Sequence, residues 1–144
     1  MVPTLAGRIQ TRIFSLGVVG SIWLLIISPF LPQNATVGEK YEATFLVLGM
    51  VIALGIGWEF VYHGIQQFRW EKDWPALFGL VTAIPEGILV WVLLRTVIPD
   101  SVVKPNGASY VIAFATVWLV VWMFVNGPMR VPFIHWRFKG GRII

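Results

Sequence analysis

The stretch that decides the fold is ALFGLVTAIPEGILVWVLLRTVI, residues 76–98. A helix needs about 20 apolar residues to cross a hydrocarbon core of about 30 Å, and this run supplies them. Yet Glu86 stands near its middle, directly after Pro85. An ionisable side chain inside such a run is costly and rarely faces lipid. The stretch therefore announces a membrane helix and asks what Glu86 meets.

Three further apolar runs occupy residues 13–31, 43–63 and 109–125. In lipid every backbone polar group must be satisfied internally, so spans are helices or closed barrels. These runs lack the period-two alternation of barrel strands. Composition agrees: the chain is 57% hydrophobic and only 12% charged, against about a quarter charged in soluble domains. The expected fold is an all-α integral membrane protein, one membrane domain over residues 1–144 with four transmembrane helices. Arg8 and Arg12 precede the first run as in a signal peptide, but no small-x-small cleavage site follows, so an uncleaved helix is expected.

Basic residues sit beside the spans. With the N-terminus inside, the inner side holds Arg8, Arg12, Arg69, Lys72, Arg130, Arg137, Lys139 and Arg142, and the outer side Lys40, Arg95 and Lys104. Positive charge favours the cytoplasmic side, so both termini are expected there, in a plasma membrane. The net charge of +4 thus reads as topology, and nucleic acid is not an expected partner.

The same composition narrows the chemistry. There is no cysteine, hence no disulfide, thiolate metal site or Cys nucleophile. Extramembrane segments are too short to fold as catalytic domains. No HExxH motif, Ser-His-Asp set, phosphate loop or dinucleotide fingerprint is present, and neither a cofactor nor a metal is expected. GMVIALGIG, residues 49–57, reads as helix packing and not as a phosphate loop.

Gly49, Ala53 and Gly57 recur every four residues on the second helix, as do Gly79, Ala83 and Gly87 on the third. Small residues at this spacing let backbones approach closely, so the two helices are expected to pair through these stripes. Trp70 and Trp74 in the joining loop suit the headgroup zone. So does the tail over residues 127–144, where Arg130, Arg137, Lys139 and Arg142 alternate with Trp136 and other aromatics.

Glu86, Glu59 and His63 are the ion or proton candidates. Glu59 and His63 are four apart, hence on one helix face. For Glu86 three readings stand side by side. It is a neutral or hydrogen-bonded structural acid, it binds a proton or cation in transport, or it faces a charge or cofactor on another subunit. Sparse internal polarity and many Trp and Phe favour a small non-catalytic subunit of a larger membrane complex, of an energy-converting or oxidoreductase kind. The lipid bilayer and other membrane subunits are its expected partners. The alternative is a homo-oligomeric proton- or cation-coupled transporter using Glu86.

Overall fold

The structure, a computed structural model, describes residues 4–68 and 76–144. Its secondary structure among these residues is entirely helical. Among the described residues, four helices are long and apolar enough to cross a membrane: α1, Leu5–Phe30; α2, Val37–Gln67; α3, Ala76–Thr96; and α4, Gly107–Arg130. A short α5, Ile134–Phe138, follows. Arg12 near the start of α1 meets Glu59 near the end of α2, and Trp122 near the end of α4 meets the first residue of α3. The helices therefore alternate in direction. We call the end that gathers the start of α1 and the tail the terminal end.

Helices α1, α2 and α4 start upstream of their apolar stretches because capping residues, not hydropathy, fix where they begin. Thr36 Oγ1 accepts from the Glu39 N–H at 3.3 Å, and the Glu39 carboxylate accepts from the Thr36 N–H at 2.8 Å. This reciprocal pair satisfies two backbone donors that a helix start leaves orphaned. Asn106 accepts from the Ser109 N–H at 2.8 Å to open α4. Thr4 does the same for the Gly7 N–H at 3.1 Å, so α1 begins at Leu5, well upstream of the apolar run over 13–31.

One segment of α1 departs from α geometry. Ser15–Gly20 is π-helical, between α-helical Leu5–Phe14 and Ser21–Ile27. The buried row of α1 runs Arg12, Leu16, Gly20, Leu24, Ser28, spaced by four. In a straight α-helix each four-residue step overshoots a full turn by about 40°, so Ser28 would face roughly away from Arg12. A wider turn takes up fewer degrees per residue and returns part of that drift. Arg12 and Ser28 are accordingly both buried, and Ser28 Oγ lies 2.8 Å from Thr44 Oγ1 of α2.

The half of the bundle away from the terminal end is an apolar core of Leu24, Val47, Leu48, Val51, Val90 and Leu94, closed by Ala113 and Val117 of α4. Aromatic residues join α4 to α3. Tyr110, Phe114 and Trp118 stack in succession with ring centroids 5.7 and 5.4 Å apart. Their polar tips, which lipid would leave unsatisfied, donate to α3 carbonyls: Tyr110 Oη to Gly87 and Trp118 Nε1 to Gly79, both at 2.6 Å, and Trp122 Nε1 to Ala76 at 2.7 Å.

These contacts correct the expected pairing of small-residue stripes. On α3, a Cβ at Gly79 would meet Trp122 Cδ1 at 3.0 Å and one at Gly87 would meet Phe114 Cε1 at 2.9 Å. That stripe, with Ala83 half-buried between, makes room for the α4 rings rather than for α2. On α2, Gly49, Ala53 and Gly57 are exposed, and a Cβ at either glycine meets nothing within 4 Å. The charged face of α2 turns inward instead and carries the glycine face out. Gly57→Ala should thus leave the isolated chain unharmed or stabilise it by about 0.5–1 kcal/mol, the ordinary helix-propensity gain. Unfolding titration in mixed micelles checks this, and a clear loss of stability would mean that the face is filled.

Candidate functional site

Glu86 has its answer in Arg12. The guanidinium grips the carboxylate with two parallel bonds, Nη1 to Oε2 at 2.8 Å and Nη2 to Oε1 at 2.9 Å. Its remaining edge turns to α2, where Nε donates to Glu59 Oε1 at 2.8 Å and Nη2 lies 2.7 Å from the same oxygen. Tyr62, one turn beyond Glu59, donates its hydroxyl to Glu86 Oε1 at 2.9 Å. Arg8, one turn before Arg12, places Nε 3.0 Å from Glu59 Oε2. Two arginines of α1 thus meet one glutamate each from α2 and α3, and the formal charges cancel.

Local structure explains why the groups converge. Arg12 follows the first residue of α1, Leu5, by seven positions, and Glu59 precedes the last of α2, Gln67, by eight. At 1.5 Å per residue both lie about 11 Å from the terminal end. On α3, Pro85 lacks an N–H and cannot bond one turn back. The helix breaks at Thr82, whose carbonyl accepts from the Glu86 N–H at 3.3 Å, so Glu86 sits in the first turn of the segment Ala83–Thr96. Gly55 opens the space. A Cβ there would overlap the Arg12 guanidinium and stand 2.7 Å from its Cδ. The indole of Trp118 completes the enclosure, with Arg12 Cζ 5.8 Å from its ring centre.

The cluster is well shielded. The side chain of Glu86 is 2% exposed and that of Arg12 8%. Charges so placed are tolerable only when paired and hydrogen-bonded, and here both Glu86 oxygens have partners. A fork of guanidinium donors on a carboxylate also fixes orientation, which a lysine ammonium would not. Chemically the arrangement holds three helices in one register.

Beside it lies a cavity of about 250 Å³ between α1, α3 and α4. Arg8, Arg12 and Glu59 form one part of its wall, Trp118, Trp122 and Val125 another. The tail contributes Trp136 and Gly141. That tail folds back on α1: the Thr4 N–H donates to the Gly140 carbonyl at 2.8 Å and Thr11 Oγ1 to that of Gly141 at 3.0 Å. Gly140 and Gly141 hold φ of 63° and 86°, the left-handed region open to glycine. A Cβ at Gly7 would overlap the Gly140 carbonyl.

The sequence candidates separate accordingly. Glu59 and Glu86 come together through Arg12. His63 does not join them; it is half-buried, its Nε2 3.4 Å from the Gln67 amide nitrogen. Trp136, expected as a lipid anchor, is 3% exposed and donates to Thr11 Oγ1 at 2.7 Å. The expectation is corrected because its indole N–H finds a partner inside the chain. Arg130, Arg137, Lys139 and Arg142 are exposed. Trp70 and Trp74 lie outside the described residues.

Sequence reasoning missed Arg12, Arg8, Tyr62 and Gly55. Counting the apolar run from residue 13 left Arg12 as a flanking charge. The readable signal was the row of small and apolar residues every four positions that begins at Arg12. Compared with known protein families, curated proteins and solved structures, the chain matches none of them.

Proposed function

We propose that this chain is a small non-catalytic subunit of a larger membrane assembly, a rigid helical unit on which other membrane subunits pack. The observation that carries the reading is the closure of Glu86. Its carboxylate is held by two Arg12 bonds and the Tyr62 hydroxyl. A shuttle must release and regain its ion, whereas this carboxylate is tied down. Among the described residues, apolar side chains fill the bundle beyond it toward the other end. Buried polar networks whose members are all satisfied rigidify a fold.

In this reading both termini face the cytoplasm across a plasma membrane, where basic Arg130, Arg137, Lys139 and Arg142 meet anionic lipid. The energy-converting or oxidoreductase kind of assembly is part of the proposal. The uncovered α2 face with Gly49, Ala53 and Gly57 leaves room for a neighbouring helix. The competing reading, a homo-oligomeric proton- or cation-coupled transporter, draws on the cavity that reaches Arg12 and Glu59 from the terminal end.

The test is extraction from the native membrane in mild detergent, with the particle mass measured. A large particle with other stoichiometric subunits is expected, and one or two copies of this chain alone would overturn the reading. Glu86→Gln tests the mechanism independently. In sealed vesicles it should leave proton flux through the chain indistinguishable from background, as for the wild type; a wild-type flux that the variant abolishes would establish the transporter.

A further inference from the structure

We propose that the tail docks on the bilayer at the boundary between headgroups and acyl chains, through Ile134 and Phe138 of α5. This rests on the lipid contact assigned to the tail above, and it names apolar side chains that make it. The first observation is the division of faces on α5. Residues step by about 100° around a helix, so Trp136 stands about 180° from the midpoint of Ile134 and Phe138. Exposure follows that division. Trp136 is buried and spends its N–H on Thr11 Oγ1, while Ile134 is 62% exposed and Phe138 68%. His135 and Arg137 occupy the sides between, and both are exposed. An inward indole, an outward apolar pair and polar flanks suit a segment lying in an interface.

The second is depth. The tail touches α1 along one stripe. Thr4 and Thr11 are hydrogen-bonded to the Gly140 and Gly141 carbonyls, Gly7 lies against Gly140, and Phe14 meets Phe133 edge-on with ring centroids 5.4 Å apart. Contacts spaced by three or four share one helix face, and from Thr4 to Phe14 they cover about 15 Å of helix length. The tail therefore lies beside α1, not beneath it. Phe133 and Trp136 are level with Phe14 and Thr11, where the surface of α1 turns apolar: Ile13 is 45% exposed and opens the apolar run over residues 13–31. At that level, a face turned away from the helix it packs on opens on lipid.

The third is the placement of the cation. Arg137 Cζ stands 4.6 Å from the Phe138 ring centre. A guanidinium beside an apolar ridge matches the bilayer boundary, where phosphate lies directly above acyl chain. The stem of Arg137 rests on the apolar side and its head reaches the phosphate.

The experiment uses the full chain, with whatever subunits accompany it, in nanodiscs of phosphatidylcholine. The chain has no cysteine, so Ile134→Cys, Phe138→Cys and Met123→Cys each take a single nitrobenzoxadiazole label. Met123, 56% exposed on α4, is the reference for a lipid-facing position. Two quenchers are compared, a phospholipid spin-labelled high on its acyl chain and acrylamide in the water. Labels at Ile134 and Phe138 should be quenched by the lipid, and should be at least about fivefold less open to acrylamide than the free cysteine adduct. Tail labels open to acrylamide and untouched by the lipid would overturn the proposal, because the face would lie in water. Tail labels shielded from both quenchers would overturn it as well, because protein would cover the face. Quenching of the Met123 label beside either result confines the failure to the tail. If the Met123 label is not quenched by lipid, the membrane reading fails and the proposal with it. The mass of the native particle is read separately, so the subunit reading can fail while the lipid contact stands. A measurement without labels guards against insertion of the label itself. In Ile134→Ser/Phe138→Ser, altered only at exposed positions, amide hydrogen exchange over the tail should quicken about tenfold in the discs while α1–α4 keep their protection. Unchanged exchange in the tail would overturn the proposal.

Discussion

Replacing Arg12 with methionine is expected to lower the stability of the bundle by about 3–5 kcal/mol, the usual cost of removing one partner from a buried ion pair. Methionine fills much of the same volume, so the loss is electrostatic and not a cavity. Glu86 loses its two guanidinium bonds and keeps the Tyr62 hydroxyl; Glu59 keeps Arg8 at 3.0 Å. The injured residue is therefore Glu86, and Arg12→Met/Glu86→Gln is the compensating variant. It removes one charge of each sign and leaves Arg8 with Glu59. More than half of the lost stability should return, because neutral replacement of a buried pair is often close to neutral in energy. Unfolding by titration in mixed micelles measures both. A double variant as unstable as the single one would show that the ion pair is not the source.

The second large effect comes from one methyl group. Alanine for glycine inside a helix ordinarily stabilises by about 1 kcal/mol. Gly55→Ala should do the reverse and cost about 1–3 kcal/mol, the usual penalty of overpacking. The added Cβ would stand 2.7 Å from Arg12 Cδ and 2.8 Å from Cζ. Arg12 must then move, and it cannot do so without loosening its bonds to Glu59 and Glu86. Gly57→Ala, two residues along the same helix, carries the opposite sign, so the pair controls for composition and helix propensity together. In the Arg12→Met background the cost at Gly55 should shrink, since a flexible thioether yields where a forked guanidinium does not. An equal cost in both backgrounds would place the obstruction elsewhere.

Why was the architecture readable and the cluster only half so? Four apolar runs specify four helices because lipid-length hydrophobicity has few other solutions. Glu86 and Glu59 stood out for the same reason, as breaks in an otherwise apolar pattern. Arg12 did not break a pattern. It sat at the boundary of one, where a positive charge has a sufficient topological explanation. Hydropathy marks what lies in hydrocarbon, while Thr4 and Thr36 mark where helices start, and the partner of Glu86 lay in the difference. The stripes failed for a related reason. Spacing by four says which residues share a face but not which way the face turns. On α2 the buried Glu59 and Tyr62 decide that, and they point the glycines away. On α3 the same spacing did mark a contact, but the neighbour was α4, whose Phe114 and Trp122 rings need that space.

The π-helical segment of α1 also bears on how the protein can vary. It lets a helix present a charged residue at one end and a small polar one at the other on a single bearing, although their spacing forbids this in regular α geometry. The number of residues between the two ends thereby sets their relative rotation. Arg12 answers to the glutamates and Ser28 to Thr44, and neither requirement dictates the other. Substitutions that repack the far half around Leu24 need not disturb the charge cluster, provided the count of residues between Arg12 and Leu24 is kept. Ser15–Gly20 has to keep its length as well as the buried Leu16 and the small Gly20, where a Cβ would stand 3.3 Å from Leu48 Cδ1.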